Sequence, residues 1–375
     1  MMVNLAGGMA GHGAEVHLVL KDAPNLPFIA DIARHLENGS VRVFPLQTAG
    51  RTDLKKALAA YIAGQNPDAL LSARIRNGHD LAVSVCRQMQ TGTRVYLRIA
   101  THVSRRGHNQ SWFRRLRERR SLCRAASRAD GIISVSRGVA ADFAGLCGID
   151  PAEIRVLPNP VVAGHLHQMA QEPLCHPWFA PGEPPVVLGA GGFRNQKDFP
   201  TLLRAFARVR ETIPARLVIL GTGRLKHRMI SLARSLGISA DMHLPGFVQN
   251  PYAYMARAGV FALSSRWEGS PNVLVEALAV GTPVVAADCP GGPREVLEDG
   301  FYGRLIRPGD PGKMAEALLQ ALKERPERKR LMQGALHRYS ARSSAAAYLC
   351  AFGLASEIEN SGSANQDLSM AGGLA

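Results

Sequence analysis

No run of this sequence comes near the roughly 20 consecutive apolar residues that a membrane-spanning helix requires; the apolar runs are the length of single strands. The opening MMVNLAGGMAGHGAEV has neither the basic region nor the cleavage site of a secretory leader. Six cysteines (86, 123, 147, 175, 289 and 350) are scattered without a CxxC pair, which argues against a zinc site or a disulfide framework and for the reducing cytoplasm. No His, Asp and Glu residues fall at metal-ligand spacing, so no metal site is expected. Acidic residues are scarce where basic ones gather: from Arg98 to Arg128 ten arginines face one acid, Glu118. No nucleic-acid fold signature accompanies that charge, so no nucleic-acid partner is expected.

What is present is globular. An apolar content of 46% and a charged content of 20% suit a packed protein, and 375 residues suffice for two cores. The net charge of +15 is uneven: residues 1–163 carry 22 basic and 12 acidic side chains, the remainder 23 and 18. Within the arginine cluster, Trp112, Phe113, Leu116 and Leu122 interleave with the charges. Such a stretch reads either as an amphipathic surface meeting an anionic membrane or as a solvated helix face.

Strands and helices alternate along the chain, as in parallel α/β sheets. EVHLVL, VRVFPL, DALLSA, RVYLRIA, DGIISVS and IRVLPN read as strands of a first domain, residues 1–163. Residues 164–185, aperiodic and with five prolines from Pro173 to Pro185, read as a linker. A second alternating series, residues 186–340, runs from VVLGAGG through RLVILG, MHLPG and GVFALSS to PVVAAD. A last helix is expected at 341–357, and a disordered Gly/Ser/Ala-rich tail at 358–375. Two doubly wound domains place a ligand cleft between them, at the carboxyl ends of the strands.

The stretch EGSPNVLVEA, residues 268–277, sets Glu268 on a loop and Glu276 two turns into a helix. Ser270 is expected to cap that helix, Pro271 to occupy its first position and Gly281 to follow its end. Free N–H groups near Asn272 and Val273 would attract an anion. A diphosphate there would have substituents on both sides, with Glu268 and Glu276 in reach of the vicinal hydroxyls of a sugar and a ribose. The spacing therefore suits a nucleotide-sugar; two ordinary exposed glutamates are the alternative.

GAGGFRNQKDF, residues 189–199, adds a Gly-rich loop at Gly191 and Gly192, with Arg194 and Lys197 as donors to a departing diphosphate. Gly221 in the Gly-Thr-Gly turn after RLVIL either lines the pocket or makes a plain tight turn. Glu295 in GGPREVL reads as an acid matched to its own helix dipole.

The run SSRWEGSPNVLVEALAVGTPVVAADCPGGPREVLEDGFYG resembles the donor-binding signature of the family-4 retaining glycosyltransferases. The two glutamates with seven residues between them, the GTPVVA strand and the GGPREV turn occur in the same order. The likeness is continuous from about residue 186 to 310 and weaker across the first half, in ADGIISVSRGVAADF and IRVLPNPVV.

The resemblance implies the GT-B fold, two facing Rossmann-like domains, and metal-independent transfer of a glycosyl group with retained configuration. It implies no cofactor, since the nucleotide-sugar, UDP- or GDP-linked, is a substrate. It casts Glu268 with Gly269, Ser270, Pro271, Asn272 and Val273 around the donor sugar and diphosphate, Glu276 at the ribose and Lys197 at the diphosphate. The base would meet backbone near Gly246, Phe247 and Val248. A histidine of the first domain commonly lies by the donor sugar, and His102 in IATHVS is the best match; a surface loop histidine is its alternative. His102, Lys197 and Glu268 form the expected catalytic set.

Two departures stand out. The family's arginine five residues before the lysine is here Gly192, with Arg194 two places later as the substitute. Relatives also open with a strand and Gly-rich loop, whereas this chain opens in a helix, with Met2, Leu5, Ala6 and Met9 on one face. A first strand is therefore expected to be missing from the N-terminal sheet. Either the start is assigned too late, the favoured reading, or the protein is a truncated, catalytically silent nucleotide-sugar-binding relative. The expected acceptor is a cell-surface, lipid-linked glycan, met from the cytoplasm at the inner face of the plasma membrane.

Overall fold

The computed structural model describes residues 1–21, 41–46, 48, 50–73, 78–105, 111–324 and 326–354. The expected tail at 358–375 lies outside them.

The C-terminal half is built on six parallel strands: β7 (Val186–Ala190), β8 (Arg216–Leu220), β9 (Met242–Gly246), β10 (Val260–Leu263), β11 (Val284–Ala287) and β12 (Arg304–Ile306), in the order β12-β11-β10-β7-β8-β9. Its central strands are unbroken apolar runs because both faces are covered. Every residue of β7, β10 and β11 is buried. One apolar layer holds Leu274 and Leu278 with Leu331 and Ala335; the other holds Leu202, Phe206, Met229 and Leu318. Strand order reverses beside β7, so the loops leaving β7 and β10 diverge and open a crevice at their carboxyl ends.

The N-terminal half carries β3 (Ala69–Ser72), β4 (Arg94–Ile99), β5 (Gly131–Ser134) and β6 (Ile154–Val156) as one parallel sheet, and β1 (Val16–Leu20) with β2 (Val41–Pro45) as another. The two belong to one sandwich. Val16 of β1 packs in the layer of Ala69 and Leu71 of β3, with Leu5, Tyr96 and Tyr348. Val19 and Leu70 face the opposite layer. Yet among the described residues β1 pairs only with β2, and β3 only with β4. Among the described residues the sheet is thus interrupted between β1 and β3.

The opening helix, Met2–Ala10, buries Leu5, Ala6 and Met9 of the expected stripe. It packs so tightly on the Ala341–Ala351 helix that a Cβ on Gly8 would stand 2.6 Å from the Ala341 carbonyl. The chain's last described helix thus returns to the N-terminal half. The two crossings between halves run side by side: the N–H groups of Val161 and Val162 donate to Tyr339 O at 3.1 and 2.9 Å, and Ala341 N–H donates to Val162 O at 2.8 Å.

Several expectations are corrected. The linker is not aperiodic throughout: His165–Gln171 is helical, burying Leu166 and Ala170 against the C-terminal core. The last helix ends at Ala351 rather than 357. The Arg328–Tyr339 helix and β12 were not read from the sequence. Cys123 and Cys147 form a disulfide with Cα atoms 5.1 Å apart, contrary to the expectation of none. It joins the Trp112–Ala126 helix to the end of the Arg137–Cys147 helix, so contact in space succeeded where sequence spacing gave no sign. Arg98 does not belong to the exposed arginine cluster. It is buried, donating to Tyr348 Oη at 3.1 Å and Asn159 Oδ1 at 2.5 Å.

Candidate active site

The helix expected after EGSPN begins at Asn272 and ends at Ala279, with Pro271 in the preceding, capping position and Gly281 two places past the end. Ser270 is not its cap, because no side chain accepts its first N–H groups. Proline before the first turn fixes the backbone without a side-chain acceptor; the Asn272 and Leu274 N–H groups donate to the Ser270 and Pro271 carbonyls at 2.9 Å each, so of the first three helical N–H groups that of Val273 alone has no acceptor among the described residues. Asn272 is held from the other side of the molecule: its Oδ1 accepts from Asn159 Nδ2 at 2.8 Å. Arg98, Asn159 and Asn272 thus link β4, the crossing segment and the helix start in one buried chain.

Glu268 is 6% exposed, which removes the reading of an ordinary surface glutamate. Its Oε1 accepts from Lys197 Nζ at 2.7 Å and from Ser265 Oγ at 2.6 Å, and its Oε2 from Gln196 Nε2 at 3.4 Å. Lys197 arrives from the loop after β7, its chain lying over Gly191, where a Cβ would sit 2.8 Å from Lys197 Cε. A buried pair of this kind is costly to break one-sidedly, by about 3–5 kcal/mol. The structure therefore brings Lys197 and Glu268 together, 71 residues apart in sequence.

Arg194 folds back over Gly192: a Cβ there would lie 3.3 Å from Arg194 Nε. The guanidinium stem thus covers Gly192, the position at which the resemblance led arginine to be expected.

The glycine loops after β7, β8 and β9 are knitted together. Gly191 N–H donates to Leu220 O at 2.9 Å, Gly221 N–H to Gly246 O at 2.7 Å, and Phe193 N–H to Thr222 O at 2.8 Å. At Gly221, with φ +130°, a Cβ would stand 2.1 Å from Gly191 O, so no larger residue fits. Phe247 is 71% exposed beside them, and Val248 packs on the core.

Glu276 is half-buried, and burial pushes its carboxyl up to about 7 against the pull of the chain's amino group and Lys197. Cys289, beside the site, is pushed up to about 12 by burial and by the Glu268 charge, which keeps its thiol protonated.

His102 is 5% exposed and is no surface histidine. Its Nδ1 faces Asp142 Oδ1 at 3.5 Å. Its Nε2 is buried and has no hydrogen-bond partner among the described residues. That nitrogen points at the other half: a Cβ on Gly291 would be 2.7 Å from it and 1.8 Å from Glu268 O. The two halves meet closely here. Ser136 Oγ donates to Gly269 O at 2.7 Å.

Glu295 stands in the first turn of the short Pro293–Val296 helix, as expected, but it serves a second helix as well. Its carboxylate accepts the Arg137 and Gly138 N–H groups at 3.1 and 3.2 Å, capping the Arg137–Cys147 helix across the seam. Asp142, Asn159, Arg98 and Glu295 were all missed as site-forming residues. Only Asn159, a polar residue between prolines directly after a strand, carried a local signal.

Arginines 114, 115, 117, 119 and 120 are exposed on the first turns of the Trp112–Ala126 helix. Trp112 and Phe113, stacked at 3.6 Å, are 63% and 66% exposed. Leu122 is buried, whereas Leu116 is only half-buried. No described helix is long and apolar enough to cross a membrane.

The profile of Glycosyl transferases group 1 matches residues 175–338, and that of Glycosyltransferase Family 4 matches residues 1–163. A glycosyltransferase of Methanocaldococcus jannaschii is 34% identical over 187 residues, covering 46% of this chain and 45% of that protein. The N-acetylgalactosamine-N,N'-diacetylbacillosaminyl-diphospho-undecaprenol 4-alpha-N-acetylgalactosaminyltransferase of Campylobacter jejuni is 32% identical, covering 54% and 53%. The lipopolysaccharide core biosynthesis glycosyltransferase LpsE of Rhizobium meliloti is also 32% identical, covering 48% and 51%. The chain thus spans about half the length of the curated relatives it matches. Among solved structures, a glycosyltransferase of Rickettsia africae superposes with a TM-score of 0.75 at 12% identity, covering 96% of this chain and 94% of that one. Anabaena HepE, solved with UDP, gives 0.73 at 16% identity, covering 94% of each.

Proposed function

The chain belongs to the family-4 glycosyltransferases of the GT-B type, and from that premise we propose that it moves a hexosyl group from a UDP- or GDP-sugar to a lipid-linked cell-surface glycan, with retained configuration and without a metal. One observation carries the reading: Lys197 and Glu268 pair, both largely withdrawn from solvent, just before the start of the Asn272–Ala279 helix. Lys197, Arg194 and the helix N–H groups supply the positive charge that a departing diphosphate needs. Glu268 accepts hydroxyls of the donor sugar and Glu276 those of the ribose. Gly246, Phe247 and Val248 border the base.

As the bond from the anomeric carbon to phosphate oxygen breaks, its electron pair leaves with the diphosphate. The acceptor hydroxyl approaches on the same face, bonds to that carbon and passes its proton to the leaving phosphate. The protein's share is to position both substrates and to stabilise the developing charge.

The acceptor class is supported by the diphospho-undecaprenol and lipopolysaccharide-core substrates in the names of the relatives. The exposed arginines with Trp112 and Phe113 at their head suit peripheral docking on the anionic inner face of the plasma membrane from the cytoplasm. The interruption between β1 and β3, on the acceptor side, favours one second reading: a relative that keeps the nucleotide-sugar pocket but not turnover.

A panel of radiolabelled nucleotide-sugars with lipid-linked acceptors in vesicles, run beside thermal shifts, separates these. Turnover with one donor is the expected result, with Lys197→Ala slowing it about 10²–10³-fold and Arg194→Ala less. Stabilisation without transfer would establish the silent relative. Neither stabilisation nor transfer with any nucleotide-sugar would refute both readings. An Arg194→Ala variant as fast as wild type would remove Arg194 from the diphosphate site.

A further inference from the structure

We propose that Asp142 is a positioning residue for the transfer reaction, holding His102 in the tautomer whose Nε2 can accept a hydrogen bond from a hydroxyl of the bound donor sugar. The sugar-hydroxyl role rests on the glycosyltransferase reading; the hold of Asp142 on the ring does not.

Asp142 and His102 both hold their side chains largely away from solvent. Asp142 lies on the Arg137–Cys147 helix, its side chain 10% exposed, and His102 lies on the loop after β4, its side chain 6% exposed. The Asp142 carboxylate is already engaged by donors only. Its Oδ2 accepts from the N–H groups of Val103 at 2.7 Å and Ser104 at 3.2 Å, and its Oδ1 from Ser104 Oγ. Burial raises its carboxyl, but hydrogen bonds from His102, the Ser104 hydroxyl and the Ser104 N–H outweigh that and bring it to about 2. An ionised carboxylate can only accept. Facing Oδ1 at 3.5 Å, the ring nitrogen Nδ1 meets a group that can only accept, which favours hydrogen on Nδ1; in a neutral imidazole that leaves Nε2 with its lone pair free.

The second observation is where Nε2 points. It is buried without a hydrogen-bond partner among the described residues, a costly arrangement unless something else uses it. Around it stand Gly138 of its own half, and Gly291 with the Glu268 carbonyl from the other half. No described residue satisfies the nitrogen, and at Gly138 and Gly291 beside it there is no side chain to do so. The seam it faces is the one at which Glu268 sits. A hydroxyl of a sugar held by Glu268 is the donor group that the proposed reaction brings there.

Asp142→Asn makes the test sharp, because it keeps shape while reversing chemistry. The two backbone N–H groups require an oxygen at the Oδ2 position, so the new NH₂ group faces His102. It donates to Nδ1 and moves the ring hydrogen to Nε2. ¹⁵N NMR of histidine-labelled protein at mildly alkaline pH, without substrate, should show Nδ1–H for His102 in the wild type and Nε2–H in Asp142→Asn. The resonance is assigned by its loss in His102→Gln.

In turnover, Asp142→Asn should lower kcat/KM about tenfold or more, the worth of one hydrogen bond made unfavourable. One monodeoxy analogue of the accepted donor should lose all sensitivity to the substitution, which a merely structural role would not produce. An Nε2–H ring in the folded wild type would overturn the hold of Asp142. Equal loss on every deoxy donor would overturn the sugar contact. Absence of wild-type turnover with every donor would refute the glycosyltransferase reading and the sugar role with it, while the tautomer measurement still decides the hold.

Discussion

Gly269→Ala tests whether the two halves must close for reaction. Gly269 follows Glu268 at the seam, and its backbone is outside the left-handed region, so alanine strains no turn. What it meets is the opposite half. A methyl group there would stand 2.1 Å from Ala100 O and 3.1 Å from Thr101 Cα, and its three nearest neighbours all belong to residues 100–101. Carbon and oxygen settle at about 3.3–3.6 Å, so the halves must part by about 1 Å at this point. Three seam interactions would loosen together: Ser136 Oγ to Gly269 O, the Glu295 cap on Arg137 and Gly138, and the approach of His102 to Gly291. A reaction whose groups come from both halves should lose about a hundredfold in kcat from a misplacement of that size. On the proposed reading the C-terminal half alone holds the free nucleotide diphosphate, which should therefore bind within about threefold of wild type. Steady-state transfer, calorimetric titration with the nucleotide and a melting curve decide the matter. Wild-type turnover at an unchanged Tm would refute the closure argument. So would a loss of nucleotide affinity as large as the loss of turnover, because the clash would then act within one half.

Two further outcomes follow from buried titrating groups. Glu276 sits at about 7 through burial; if its carboxylate accepts ribose hydroxyls, donor affinity should rise by up to about tenfold from pH 6 to 8 and level off above. Isothermal titration across that range should show the rise in wild type and none in Glu276→Gln; a rise that persists in the variant would dismiss Glu276. His79 is buried with Nδ1 at 2.8 Å from Ser72 Oγ, and burial lowers it from 6.5 to about 4. The unfolded chain therefore binds the extra proton between those values. Stability is complete above pH 6.5 and falls as pH drops toward 4, by at most on the order of 3 kcal/mol. Melting curves from pH 7 to 4.5 should slope less steeply in His79→Gln, and an identical slope would contradict this.

The C-terminal half was legible because its physics is local. Strands buried on both faces must be continuous apolar runs, so VVLGA, VFAL and VVAA could hardly be read otherwise, and the glycine loops follow where backbone meets backbone, as Gly221 meets Gly191. The N-terminal half was legible in its strands but not in its seam. Nothing near Asp142 in sequence foretells His102, and Glu295 looked like an acid serving its own helix because helix dipoles are a local rule. That it caps a helix 158 residues away is a fact about docking. The same holds for Arg98: counted by composition it joined a basic surface, whereas in space it satisfies Tyr348 and Asn159. Cys123 and Cys147 were excluded on spacing, a criterion that applies to metal clips and small scaffolds but not to two helices packed side by side.

The pairing of Lys197 with Glu268 has a consequence for which ligand the proposed site prefers. In the protein alone each charge satisfies the other in a buried setting. A diphosphate drawing Lys197 Nζ away would leave the Glu268 carboxylate with Ser265 and Gln196, one neutral hydroxyl at 2.6 Å and one amide at 3.4 Å. A buried carboxylate that loses its cation costs several kcal/mol unless new donors replace it. Sugar hydroxyls are such donors, and charge-assisted bonds to them return about 1.5–3 kcal/mol each. A ligand carrying diphosphate and sugar together therefore exchanges both partners at once, whereas a nucleotide diphosphate alone takes the lysine and gives the glutamate nothing. In the proposed reaction the site's own ion pair would thus work against product and for donor, a preference set by the 2.7 Å contact between two residues that the sequence keeps 71 positions apart.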